Sequence, residues 1–151
     1  MKILSTQYSL KYKALEIYTA GCKGPHCTGC HNPDTWDFSQ GEELEYFFNT
    51  LESKLKDFDE IIDKVMIFGG EPLDNKLEDV IKLLDKIKEY NKEVWIFTHY
   101  ELEDIDEKIK EKCDYIKTGR YEVQYKSENH IECGIKLATL NQHIFIKNKH
   151  F

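Results

Sequence analysis

No stretch of this sequence approaches the roughly twenty apolar residues of a membrane-spanning helix, so a helical membrane protein is excluded and no membrane partner is expected. The opening residues, Met1-Lys2-Ile3-Leu4-Ser5, lack the apolar segment of a secretory leader, and the chain is expected in the cytoplasm. Positive charge is in short supply. Lys and Arg number 21 against 28 Asp and Glu, a formal net charge of −7. Phosphate backbones are held by cations, so no nucleic acid is expected as the main partner. Repeats, low-complexity tracts and linker-like segments are missing as well, and residues 1–151 are expected to form a single domain. What remains is 40% hydrophobic and 32% charged, the composition of a soluble globular protein.

Cysteine is where the chain departs from the ordinary. Three fall within nine residues, in Gly21-Cys22-Lys23-Gly24-Pro25-His26-Cys27-Thr28-Gly29-Cys30-His31-Asn32. The Gly and Pro residues make this a loop whose backbone is free to turn, so its thiols can converge. In a reducing cytoplasm such clusters read as metal or redox chemistry rather than disulfides. Thiolates are soft ligands that suit zinc, copper(I) or an iron–sulfur cluster. Three of them leave one coordination position of a four-ligand centre for something else. Two plainer readings stay open: a four-cysteine [2Fe-2S] electron carrier completed by Cys113 or Cys133, and a zinc knuckle completed by His31 or His26. Cys113 also reads as a small buried hydrophobe.

Around that loop the pattern alternates between strand and helix. Met1 to Lys13 is an extended arm or edge strand, and Ala14–Thr19 alternates as a strand leading into the cysteines. Ser39 and Glu42 form a capping box for a helix with Leu44, Phe47, Phe48, Leu51 and Leu55 inward. Val65–Phe68 is a short apolar run covered on both faces. Asn75 and Glu78 cap a second helix with Leu77, Val80, Ile81, Leu84 and Ile87 inward. Strand Val94–Phe97 follows, then a helix with Leu102, Ile105 and Ile109 inward, and a strand over Tyr115–Lys117. Leu137–Ile146 holds the last strand or strands, with Asn141 at a turn. Trp36 and Trp95 are expected in the core, and the acidic helix residues on solvated faces.

Regular β-α alternation implies right-handed crossovers and a parallel sheet, in which ligands bind off the carboxyl ends of the strands. The cysteine loop, Gly69-Gly70-Glu71-Pro72, Thr98-His99 and Thr118-Gly119 each follow a strand there. Paired glycines admit a ligand close to the backbone, and the following carboxylate can hold an ammonium group. His99 either faces a ligand bound at that rim or is a polar surface residue, as loop histidines more often are.

With both motifs the chain resembles the radical S-adenosylmethionine (SAM) superfamily, and within it the activating proteins of glycyl radical enzymes. Cys30-His31-Asn32-Pro33-Asp34-Thr35-Trp36-Asp37 resembles the segment after the third cysteine of the pyruvate formate-lyase activators. Val94–Tyr100, Asp114–Tyr121 and Leu140–Ile144 are similar to segments of the anaerobic ribonucleoside-triphosphate reductase activators. The loop has four residues between its first two cysteines where the superfamily usually has three. Tyr8–Lys13 stands where those activators usually carry a Gly-Pro-Gly segment.

The resemblance implies an α/β fold, an incomplete (β/α) barrel of mainly parallel strands with outer helices. It implies a [4Fe-4S] cluster on Cys22, Cys27 and Cys30, whose fourth iron binds the amino and carboxylate groups of SAM. Gly70 and Glu71 would hold the amino end, with Gly69 also binding the cofactor; Gly29, His31 and Asn32 would lie against the cofactor, and Thr98 would reach it from the next strand. One electron from an external donor would cleave the sulfonium bond, and the resulting 5′-deoxyadenosyl radical would take a hydrogen from a glycine of the partner. That partner would be a glycyl radical enzyme, the large subunit of an anaerobic ribonucleotide reductase before others. A radical SAM enzyme acting on a small molecule is the alternative within the class.

Overall fold

A computed structural model describes residues 1–151. The chain opens with β1 (Lys2–Ser9), which turns back antiparallel onto β2 (Ala14–Thr19), Ser9 facing Ala14. The expected edge position of the N-terminal segment does not hold. A two-residue strand, β3 (Glu42–Glu43), pairs with the outer side of β1 and takes the edge. Then follow α1 (Leu44–Asp57), β4 (Lys64–Gly69), α2 (Leu77–Lys88), β5 (Glu93–Phe97), the single-turn α3 (Glu107–Lys110) and β6 (Tyr115–Thr118). The chain ends with a small hairpin, β7 (Ile131–Glu132) and β8 (Ile135–Lys136), and with β9 (His143–Ile146).

Seven strands form one sheet in the order β3-β1-β2-β4-β5-β6-β9. Its centre, β2, β4, β5 and β6, is parallel, and β1 and β9 flank it antiparallel. The order is linear, with β3 and β9 at its two ends.

The apolar run of β4 shows why the centre is buried on both faces. Successive side chains of a strand point to opposite sides. Val65 and Ile67 pack into the larger core with Leu51 and Leu55 of α1 and Val80, Leu84 and Ile87 of α2. Met66 points the other way, against Trp95, Ile135, Leu137 and Ile144. So α1 and α2 cover one face and the C-terminal segment covers the other. Each large side chain buried this way contributes about 1.5–3 kcal/mol.

The helix starts differ from the sequence expectation. No side chain caps α1, because Glu42 and Glu43 are drawn into pairing with β1 and the Ser39 amide turns to Asp37 Oδ1. No side chain caps α2 either; the Asn75 amide donates to Ala20 O at 3.2 Å, tying the helix entry to the end of β2. On α2 the fourth fully buried position is Leu83, while Ile81 is half-exposed. The expected third helix breaks into a 3-10 turn, Leu102–Asp104, and α3, with Ile105 and Ile109 still buried. No helix is long and apolar enough to cross a membrane.

Candidate functional site

The carboxyl ends of β2, β4, β5 and β6 open onto one cavity. Cys22, Cys27, Cys30, His31 and Asn32 line it from the loop after β2, and Gly69, Gly70 and Glu71 from the end of β4. Thr98 and His99 come from the end of β5, Lys117 and Gly119 from β6. Phe68 and Phe97, on adjacent parallel strands, pack at 4.1 Å and also face the cavity. Of the residues expected to hold the cluster or SAM, only Gly29 is absent from the lining, and of the other rim residues singled out in the sequence Pro72 and Thr118 are buried beneath it. Gly29 is exposed at φ +74, where an added Cβ would lie 3.5 Å from the ring of Tyr121, itself in the cavity wall.

Backbone contacts fix the cysteine loop at both ends. The Gly21 amide donates to Thr35 O at 2.7 Å and the Cys22 amide to Trp36 O at 3.1 Å. Directly after Cys22, Lys23 N donates to the buried Asp74 carboxylate at 2.6 Å. The Glu71 amide donates to Gly21 O at 2.7 Å, which presses the Gly69-Gly70 turn onto the loop. Gly70 is the only residue type that fits: a Cβ there would overlap Gly21 O and lie 2.8 Å from Thr35 O. Trp36, expected in the core, lines the cavity and stacks on His26 at 3.7 Å.

Glu71 is buried, and its oxygens are turned to the protein. Oε1 accepts from Thr98 Oγ1 at 2.7 Å and from Leu73 N at 3.0 Å; Oε2 accepts from His99 N at 2.7 Å. Burial pushes this carboxyl up to about 7 against the pull of those donors. His99 is no surface residue, with only 12% of its side chain exposed. Its Nε2 lies 3.3 Å from Arg120 Nη2, and a guanidinium can only donate, so Nε2 accepts. Nδ1 then carries the hydrogen, directed at Glu71 Oε2 3.2 Å away. Burial, followed by the Arg120 charge, holds the ring down to about 4, and it is neutral. Arg120, the sole arginine of the chain, also donates to Pro25 O at 2.6 Å, so it joins the cysteine loop to this network. Lys117 brings a cation into the wall; desolvation lowers its ammonium to about 8, and Nζ donates to Gly119 O at 2.8 Å.

Neither remaining cysteine reaches the cavity. Cys113 is fully buried in the core just before β6, at the opposite end of the strand from the site. Its thiol is pushed up to about 12, burial being the main cause. Cys133 is exposed in the β7–β8 turn. A family-level comparison matches residues 13–143 to the family described as the 4Fe-4S single cluster domain. The chain belongs to that family. A comparison with curated proteins gives no match.

The cofactor of this 4Fe-4S domain is therefore an iron–sulfur cluster, and the residues of the cavity fit one. Cys22, Cys27 and Cys30 are free thiols, none of them fully buried. The Asn32 amide approaches Cys30 Sγ at 3.4 Å, the kind of hydrogen bond to sulfur that tunes such centres. Sequence reasoning missed Lys117, Tyr121, Ala138 and Gln142 in the wall. Lys117 and Tyr121 lie within the Asp114–Tyr121 resemblance and Gln142 within Leu140–Ile144, so three of the four stand in segments of the resemblance, without roles attached. Ala138 had no signal.

Proposed function

We propose that this protein is a radical SAM activase that reductively cleaves S-adenosylmethionine and generates a glycyl radical on a partner enzyme, an anaerobic ribonucleoside-triphosphate reductase before others. The observation that carries the reading is the meeting of three thiols, and no further cysteine, with the Gly69-Gly70-Glu71 turn and Thr98 on one cavity. Three thiolates leave one iron of a four-iron cluster without a protein ligand, free for the amino and carboxylate groups of SAM. The reading takes the sheet as an incomplete barrel of the radical SAM type.

When bound, the cluster supplies the single electron that breaks the sulfonium bond. Everything else falls to the chain. Cys22, Cys27 and Cys30 hold three irons. Gly69 and Gly70 bring backbone up to the amino end of SAM, and Glu71 holds Thr98 and His99 in place beside it. Gly29, His31 and Asn32 lie along the cofactor, and the Lys117 ammonium complements a carboxylate. Phe68 and Phe97 keep water from one side of the reacting carbon.

A protein substrate fits the rim better than a small one. Val123, Tyr125 and Leu140 are exposed apolar side chains, on the same segments as the cavity residues Tyr121, Ala138 and Gln142. Leu140 N donates to Tyr125 O at 2.8 Å, so two of the three are neighbours. A docked enzyme would cover them and close the site as a lid. The test is anaerobic incubation of cluster-loaded protein with dithionite, as the external electron donor, SAM and a candidate glycyl radical enzyme. Close to one 5′-deoxyadenosine per radical counted by spin resonance is expected. A metabolite turned over repeatedly, with no glycyl radical on any candidate, would overturn the activase reading in favour of a small-molecule enzyme.

A further inference from the structure

A second cluster of ligand-type side chains lies away from the cysteines. His130 precedes β7, Glu132 ends it, and His143 opens β9. His130 Nε2 and His143 Nδ1 each lie 3.0 Å from the same oxygen, Glu132 Oε1. The ligand atoms of the three residues all lie within 4.8 Å of one another.

The hydrogen positions around His130 are what make this cluster unusual. Its Nδ1 is 2.9 Å from Thr139 O, and a carbonyl only accepts, so Nδ1 carries a hydrogen. With Nδ1 committed, Nε2 meets the carboxylate oxygen across a gap that a shared cation must fill, either a proton, which the Thr139 and Glu132 contacts favour by raising the ring's pKa, or a metal ion. The other carboxylate oxygen, Oε2, accepts from Ile144 N at 2.7 Å, which orients Oε1 toward both rings. A ring whose far nitrogen donates to a backbone carbonyl is the usual posture of a metal-bound histidine.

We propose that His130, Glu132 and His143 form a zinc site that clips the β7–β8 hairpin to β9. Two imidazole nitrogens and one carboxylate oxygen are a donor set that zinc accepts, with a water completing four ligands. Zinc bonds of about 2.0–2.2 Å set tetrahedral ligand atoms about 3.3–3.6 Å apart. The two 3.0 Å contacts need to open by a few tenths of an ångström, and the two ring nitrogens, within 4.8 Å of each other, need to close by about an ångström at most. His143 stands more than half exposed, which gives the ion a path in and room for the water. The segment closed by the clip, residues 130–143, contains Ala138 and Gln142 of the cavity wall. The ion would thus hold one wall of the cluster cavity while taking no part in its chemistry.

The cluster-loaded protein serves for the test, because free cysteines of the loop would themselves bind zinc. It is dialysed against metal-free buffer, incubated anaerobically with a small excess of zinc chloride, desalted, and assayed for zinc and iron. About one zinc per chain is expected, with iron content unchanged. His143→Ala, at an exposed position that leaves the fold intact, and Glu132→Gln should each weaken zinc binding by about tenfold or more. Zinc should also raise the thermal midpoint of the wild-type protein and not that of His143→Ala. No zinc retained by the wild-type protein would mean that a proton fills the gap between His130 and Glu132. Equal zinc in wild type and His143→Ala would place the ion elsewhere. Either result overturns the proposal.

Discussion

Thr98 donates its hydroxyl hydrogen to Glu71 Oε1 at 2.7 Å, joining the loop after β5 to the loop after β4. The same hydroxyl accepts from Tyr100 N at 3.1 Å, so it is satisfied on both sides. Removing the carboxylate strands the Leu73 and His99 amides and the Thr98 hydroxyl in a buried place. Unsatisfied buried donors cost about 1–3 kcal/mol each and do not add fully. Glu71→Ala is therefore expected to lose about 3 kcal/mol in urea unfolding of the cluster-free protein, and Thr98→Val about 1–2 kcal/mol. On the activase reading, Glu71→Ala also weakens SAM binding by roughly ten- to a hundredfold with the cluster still in place. Titration followed by the cluster's spin resonance signal measures it. Unchanged stability would mean that the carboxylate is not the hub of these contacts.

Lys117 gives the cluster-free protein a pH dependence of known sign. Desolvation lowers its folded value to about 8 from an ordinary 10.5. Between those two values the unfolded chain binds the proton more fully than the folded chain does. Stability contributed by this side chain therefore rises as pH climbs from about 8 to about 10.5. Lys117→Met removes the effect. The difference in unfolding free energy, wild type minus variant, should be level below pH 8 and increase through the window. A level difference throughout would show an ammonium that keeps its water.

What could be read from the sequence, and what could not, divides by the range of the interactions involved. The central strands were legible because an apolar run such as Val65–Phe68 can be buried in few ways. The cysteine loop and the Gly69-Gly70 turn were legible because their chemistry is local and the β-α order puts both on one rim. Helix caps were not. Ser39-x-x-Glu42 has the right spacing, but Glu42 gains two-residue pairing with β1, some forty positions earlier in the chain. Asn75 likewise spends its amide on Ala20 O. Trp36 reads as core by hydrophobicity alone, but its carbonyl is held by the Cys22 amide and its ring stacks on His26 beside the cavity, pairings outside any local pattern. Arg120 and His99 become partners through a contact that no local pattern encodes.

The five cysteines should separate sharply in behaviour. On the three-thiolate reading, Cys22→Ala, Cys27→Ala or Cys30→Ala removes one ligand of the cluster, and each variant should lose its cluster or hold it labile after anaerobic reconstitution. Cys113→Ser should keep normal iron, because its thiol lies at the other end of β6. It should instead lose about 1–3 kcal/mol of stability, the cost of an unpartnered hydroxyl in an apolar site. In the folded, cluster-free protein, alkylation should reach Cys133 and the three loop thiols but spare Cys113, which is 0% exposed and whose thiol sits near 12. Mass spectrometry of the alkylated chain reads this directly. A cluster lost in Cys113→Ser or Cys133→Ser would bring back the four-cysteine electron carrier.

Gly70 is the point at which the two halves of the site touch, and a single methyl group tests how tightly. The Gly70 amide donates to Thr19 O at 3.1 Å, and the next amide, of Glu71, donates to Gly21 O at 2.7 Å. Gly70 is not among the glycines at positive φ, so alanine meets no backbone strain there. The obstacle is space alone. Its Cβ would overlap Gly21 O and approach Thr35 O to 2.8 Å, both backbone atoms that cannot rotate away. Overpacking of this kind costs about 1–3 kcal/mol, sometimes more. The strain is relieved most easily by moving the cysteine loop off the Gly69-Gly70 turn. Gly70→Ala is therefore expected to destabilise the cluster-free protein by about 3 kcal/mol and to slow or prevent cluster assembly. Gly134→Ala is the contrasting substitution. It stands at φ +77 with nothing within 4 Å, so only the left-handed backbone costs anything, about 1–2 kcal/mol. That change should leave iron content normal. Equal iron in both variants would mean that the loop tolerates displacement from the turn, and that the close crossing at Gly70 is packing without consequence for the cluster.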